Sequence, residues 1–159
     1  MQSFAGYRKF IILRDPFDRI VSFINNTYKE VEYDYLFNKS LPPEKYVDSV
    51  LRMFPYMIHH TRPDRRYDKH AIPQRVYYEM YKQVVGDELE IVNIKDLPEY
   101  YQQLTGHPLI KNNVTKPSEK VCTRDSLTPK QVKLINEYID KYEFGKDDEF
   151  TRYFKRPVC

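Results

Sequence analysis

Glycine is scarce: Gly6, Gly86, Gly106 and Gly145 are the only four, too scattered to build a glycine-rich loop around a phosphate. Cysteine is scarcer. Cys122 and Cys159 stand outside any Cys-x-x-Cys pair or histidine-containing ligand spacing, so no zinc or other metal site is expected. A disulfide between them stays open, because sequence alone fixes no separation. No apolar run approaches the roughly 20 residues that span a bilayer, and Met1 is not followed by a basic-then-apolar signal peptide. Charge of one sign is also lacking. With 26 basic and 23 acidic residues the net charge is +3, which excludes the dense positive field of a dedicated nucleic-acid binder. There is no internal repeat and no low-complexity tract.

What remains is a chain of 159 residues, enough for one domain with a real core, assigned here to residues 1–159 with a charged tail from 146 onward. The apolar fraction is 41%, slightly low, but aromatics reach 15%, so large Tyr and Phe side chains can supply the buried area.

Alternation of strand and helix signals predicts an α/β fold. Lys9 to Leu13 is a short β-branched run that stops at Arg14-Asp15-Pro16, a pattern for a buried strand. Asp15 suits an N-cap and Pro16 the first helical position, and Phe17, Ile20, Val21 and Ile24 then recur at helical spacing as a face for packing on the sheet. Pro42-Pro43 opens another helix with the stripe Tyr46, Val47, Val50, Leu51 and Phe54. From Pro55 to Gln74 no periodicity emerges, only a concentration of basic residues that reads as a long loop. Glu90 to Ile94 is the second strand, running into a short helix to about Leu104. His107 to Asp125 reads as a second long loop. Thr128-Pro129-x-Gln131 is a capping box for a last helix with Val132, Ile135, Tyr138, Ile139 and Tyr142 on its buried face.

In open α/β sheets ligands collect at the carboxyl ends of strands. Arg14 stands there, and its guanidinium can make paired, charge-assisted bonds to a phosphate while a helix hydroxyl such as Ser22 adds one more. The plain alternative is that Arg14 pairs with Asp15 or Asp18 and Ser22 faces solvent. The run Phe10-Ile-Ile-Leu-Arg-Asp-Pro-Phe-Asp-Arg-Ile-Val-Ser22 resembles the 3′-phosphate-binding strand and helix of the carbohydrate (Golgi-type) sulfotransferase family. His70-Ala-Ile-Pro-Gln74, Ile94-Lys-Asp-Leu97 and Tyr138-x-Asp140-x-x-x-Phe144 resemble later segments of that family in the same order, so the likeness runs from about Lys9 to Gly145.

The resemblance implies a P-loop-like sulfotransferase fold, a mostly parallel sheet flanked by helices. It implies 3′-phosphoadenosine 5′-phosphosulfate as co-substrate and a carbohydrate hydroxyl as acceptor. Arg14 and Ser22 then hold the 3′-phosphate, and His70 is the candidate general base. Lys116, Lys120 and Arg124 are candidates to close over the nucleotide, and Arg62, Arg65, Arg66 and Lys69 to attract an anionic glycan. Two departures stand out. The family places a strand and a loop for the 5′-phosphosulfate upstream, whereas eight residues precede Lys9 here, so the sheet is expected to be incomplete on its N-terminal side, with an open edge or a partner covering it. Lys95 stands where the family often has glutamate.

Two other classes compete with the enzyme. One is a non-catalytic remnant that binds nucleotide or glycan. The other, ranked lower, is RNA or DNA binding through the Arg62–Lys69 cluster with Tyr56 and Tyr67. Asn-x-Ser/Thr tripeptides begin at Asn25, Asn38 and Asn113. The compartment stays open: cytoplasmic if the chain is complete, Golgi lumen or membrane if it is a fragment of a eukaryotic family member.

Overall fold

The computed structural model describes residues 6–60, 69–110 and 116–155. Both strands read from the sequence form: β1 (Phe10–Leu13) and β2 (Glu90–Asn93) pair in parallel, with Phe10 opposite Glu90 and Leu13 opposite Asn93. They make up the one sheet among the described residues, and the rest of the fold is mostly helical. Directly after Arg14 and Asp15 comes α1 (Pro16–Lys29). Its capping follows from the local sequence, because the Asp15 carboxylate accepts from the amides of Phe17 at 3.0 Å and Asp18 at 3.1 Å.

Helices α2 (Pro43–His60) and α5 (Pro129–Tyr142) carry the apolar stripes their periodicity predicts, and α4 (Leu97–Thr105) follows β2 through a tight turn. The expected packing needs correction. α1 does not lay its apolar face on the sheet; Phe17, Ile20, Phe23 and Ile24 pack instead with Tyr46, Val50, Leu51 and Phe54 of α2 and Ile135 and Ile139 of α5. The reason is area: two short strands cannot cover three apolar helix faces, which therefore cover each other. Helix α2 also runs on through Pro55. Met57 and Ile58 join the same cluster one turn later, and their burial offsets the amide hydrogen bond that proline cannot make.

A second core sits on the sheet itself. Leu13, with Ile11 and Ile91 beside it, packs on Tyr78 of α3 (Gln74–Val85) and on Phe150 of α6 (Glu149–Phe154). The residues read as a charged tail thus contribute a fully buried Phe150. The other face of β1 is not buried as expected. Phe10 is 38% and Ile12 43% exposed. The amide of Glu90 donates to the carbonyl of Lys9, which turns the peptide groups of Phe10 and Ile12 away from β2 toward an edge with no further strand among the described residues.

Arg75 locks this second core. Its guanidinium donates to both Asp148 oxygens at 2.6 and 3.0 Å and to Thr151 Oγ1, while Nε donates to the Glu143 carbonyl and the group lies 4.9 Å from the Phe150 ring. No described helix is long and apolar enough to cross a membrane.

Candidate functional site

Arg14, Ser22 and His70 line one cleft of about 280 Å³, together with Arg19, Asn26, Gln74 and Ile94. Sixty residues of chain separate Arg14 from Gln74, yet the fold returns the 69–74 segment to the end of β1, where Gln74 grips Arg14. The plain alternative for Arg14 does not hold. Arg124 takes both acidic neighbours, lying 3.1 Å from Asp18 and 3.9 Å from Asp15, and it also covers the Phe17 ring at 4.4 Å. Among the described residues the exposed Arg14 guanidinium and the Ser22 hydroxyl have no hydrogen-bond partner. An exposed guanidinium at the carboxyl end of a parallel strand, left unneutralised while acidic groups beside it are paired, is a ready anion site.

The anion site is not the mouth of α1. Asp15 occupies those amides and Asp18 adds a second negative charge there, so an anion gains nothing from the helix terminus. The helix wall of the cleft is formed instead by Arg19, Ser22 and Asn26, which recur at helical spacing. Arg19 and Asn26 were missed from the sequence, although their spacing from Ser22 was the signal that could have found them.

Arg14 also lines a larger groove of about 1130 Å³, together with Asn93, Lys95, Leu97, Ile110, Arg124 and Tyr153 among others. Arg14 and Ile94 line both spaces. Arg124 is therefore brought beside Arg14, with its charge already engaged by Asp18. Lys116 and Lys120 are exposed and line neither space. Lys69 opens the turn that carries His70, whereas Arg62, Arg65 and Arg66 lie outside the described residues, as does Tyr67.

Glu143 supports the cleft from behind. Its carboxylate accepts from the amides of Gln74 at 2.7 Å and Arg75 at 3.2 Å. Burial pushes the carboxyl up to about 7, outweighing the pull of Arg19 and the two amides. A carboxyl raised from 4.5 in this way favours the folded state when protonated, so its contribution to stability is lost as pH rises from about 4.5 to about 7. Asp148, held down to about 2 by Arg75, acts in the opposite sense and loses its contribution as pH falls from about 3.8 toward that value. Melting temperature measured across pH 4.5–7 is therefore expected to fall more in the wild type than in Glu143→Gln; parallel curves would remove Glu143 from the account.

Asn25 cannot serve as a glycosylation acceptor in the folded chain. It is buried, its Oδ1 accepts from the amides of Val121 and Cys122, and its Nδ2 donates to the Cys122 carbonyl. Asn38 is exposed, and Asn113 lies outside the described residues. Burial pushes the Cys122 thiol up to about 11, which leaves it inert; Cys159 lies outside the described residues. No group of three His, Cys, Asp or Glu that could hold a metal ion occurs among the described residues.

No protein-family model, curated protein or solved structure matches the chain.

Proposed function

We propose that this chain is a sulfotransferase-type domain that binds 3′-phosphoadenosine 5′-phosphosulfate and serves transfer of its sulfuryl group to a carbohydrate hydroxyl. The observation that carries the reading is the convergence of Arg14, whose guanidinium has no partner among the described residues, and Ser22 and His70 on one cleft beside the end of β1. In this reading the 3′-phosphate sits on Arg14 and Ser22, with Arg19 adding positive charge to the same wall. The nucleoside extends into the larger groove that Arg14 also lines. The proposed fold is P-loop-like, with β1 and β2 as two strands of a parallel sheet that continues past the open edge of β1.

The transfer is an in-line displacement at sulfur. The acceptor oxygen forms the new bond to sulfur, the bond from sulfur to the 5′-phosphate oxygen breaks, and adenosine 3′,5′-bisphosphate leaves. His70 takes the proton of the acceptor hydroxyl, so that negative charge develops on the leaving phosphate. The remaining work is positioning and stabilisation of charge on the transferring oxygens. The open edge of β1 and the lack of a glycine-rich loop favour a second reading, a domain that binds the nucleotide without turning it over.

Thermal shift separates these readings from neither holding. At about a hundred times its dissociation constant, adenosine 3′,5′-bisphosphate is expected to raise the melting temperature by roughly 5–10 °C. Adenosine 5′-monophosphate, lacking the 3′-phosphate, is expected to give a clearly smaller rise at the same concentration. Equal shifts would remove the 3′-phosphate site.

A further inference from the structure

Arg14 is the first residue past the end of β1, where the ladder to β2 has stopped, yet its backbone is held at both polar atoms. The Arg14 amide donates to Gln74 Oε1 at 2.8 Å, and Gln74 Nε2 donates to the Arg14 carbonyl at 2.6 Å. The carboxamide thus acts as one rung of a missing strand, on the edge of β1 that faces away from β2. Gln74 is itself fixed. It is 6% exposed, begins α3, and gives its own amide to Glu143 at 2.7 Å. Both ends of its side chain are used by Arg14, so neither is left to contact a ligand.

Resting on the function proposed above, we infer that Gln74 is a positioning residue: its carboxamide sets the backbone of Arg14 so that the guanidinium stands in the cleft ready for the 3′-phosphate. The same turn that delivers Gln74 carries His70, four positions earlier, into that cleft. One short segment therefore fixes the phosphate grip and the candidate base together. A guanidinium on an unheld loop would have to be ordered at each binding event, which weakens binding without changing any contact to the ligand.

The role predicts a specific pattern. Gln74→Leu removes both rungs while keeping an apolar volume, and two neutral hydrogen bonds correspond to about tenfold in an equilibrium constant. The preference for adenosine 3′,5′-bisphosphate over adenosine 5′-monophosphate is expected to fall by about that factor, with affinity for the monophosphate little changed. Gln74→Glu adds a readout that bulk and packing do not supply. Protonated, the carboxyl keeps one donor and one acceptor; ionised, it loses the donor to the Arg14 carbonyl. Its affinity for the bisphosphate, divided by that of the wild type at each pH, is therefore expected to recover as pH falls through the carboxyl range. This comparison does not use Gln74→Leu and stands even if that variant fails to fold. Amide hydrogen exchange without ligand reports the grip directly, with the Arg14 amide protected in the wild type and exposed in Gln74→Leu. A wild type that binds both nucleotides equally overturns the proposed function and this role with it. A wild type that prefers the bisphosphate, with a pH-independent Gln74→Glu ratio, overturns the role of Gln74 alone.

Discussion

Arg75→Ala is expected to lower the free energy of unfolding by about 3 kcal/mol, the low end of the range for removing one partner of a buried ion pair, because Asp148 keeps part of its carboxylate in solvent. The substitution leaves three elements untied at once. The Asp148 carboxylate loses both of its guanidinium bonds, Thr151 Oγ1 loses a donor, and the Glu143 carbonyl at the end of α5 is left buried beside them. The guanidinium also covers the ring of Phe150, which is fully buried and anchors α6 to the sheet, so packing is lost with the charge. For a chain of this size the corresponding drop in melting temperature is roughly 10 °C. Arg75→Lys is expected to recover little, since an ammonium cannot reproduce the forked contacts. Urea unfolding of the three proteins measures this, and a loss under about 0.5 kcal/mol for Arg75→Ala would show that Asp148 and Thr151 are satisfied without it.

Sulfate transfer by residues 1–159 alone is expected to be slower by about a hundredfold or more than transfer by the same chain joined to an upstream strand and phosphosulfate loop. In the proposed reading the cleft would offer Arg14 and Ser22 to one end of the nucleotide and His70 to the acceptor. Among the described residues the amides at the start of α1, beside Arg14, are already taken by Asp15. A donor held only at its 3′-phosphate leaves the sulfuryl end free to wander from the line of attack. Among the described residues no strand covers the edge of β1 at Phe10 and Ile12, where an added strand could pair, while Gln74 already holds the backbone of Arg14. Comparable rates from the two proteins would mean that other residues, with Lys116 to Arg124 the first to test, hold the phosphosulfate.

The parts of this fold that could be read from sequence are those whose signals are local. Pro16 behind an Asp15 cap, the Thr128 capping box and the apolar stripe of α2 each announce an element without reference to the rest of the chain. Helix α3 was missed because its buried face opens with Gln74 and Arg75, which resemble solvent residues until their partners at Arg14, Glu143, Asp148 and Thr151 are placed. The same kind of distant pairing hid α6, whose Phe150 sits among charges in the sequence and against Tyr78 and Leu13 in the fold. At the cleft, Arg14, Ser22 and His70 came from motif order. Arg19 and Gln74 needed the structure, since their roles depend on which wall of the cleft each element forms.

The most direct test of the account is calorimetric binding of adenosine 3′,5′-bisphosphate and adenosine 5′-monophosphate to the wild type and to Arg14→Ala. The wild type is expected to prefer the bisphosphate, and Arg14→Ala to weaken bisphosphate binding by roughly ten- to a hundredfold, equivalent to about 1.5–3 kcal/mol for a charged hydrogen bond. Monophosphate binding is expected to stay nearly constant, so the preference itself collapses. Loss of both nucleotides in equal proportion, or a preference that survives in Arg14→Ala, would contradict the claim that Arg14 reads the 3′-phosphate.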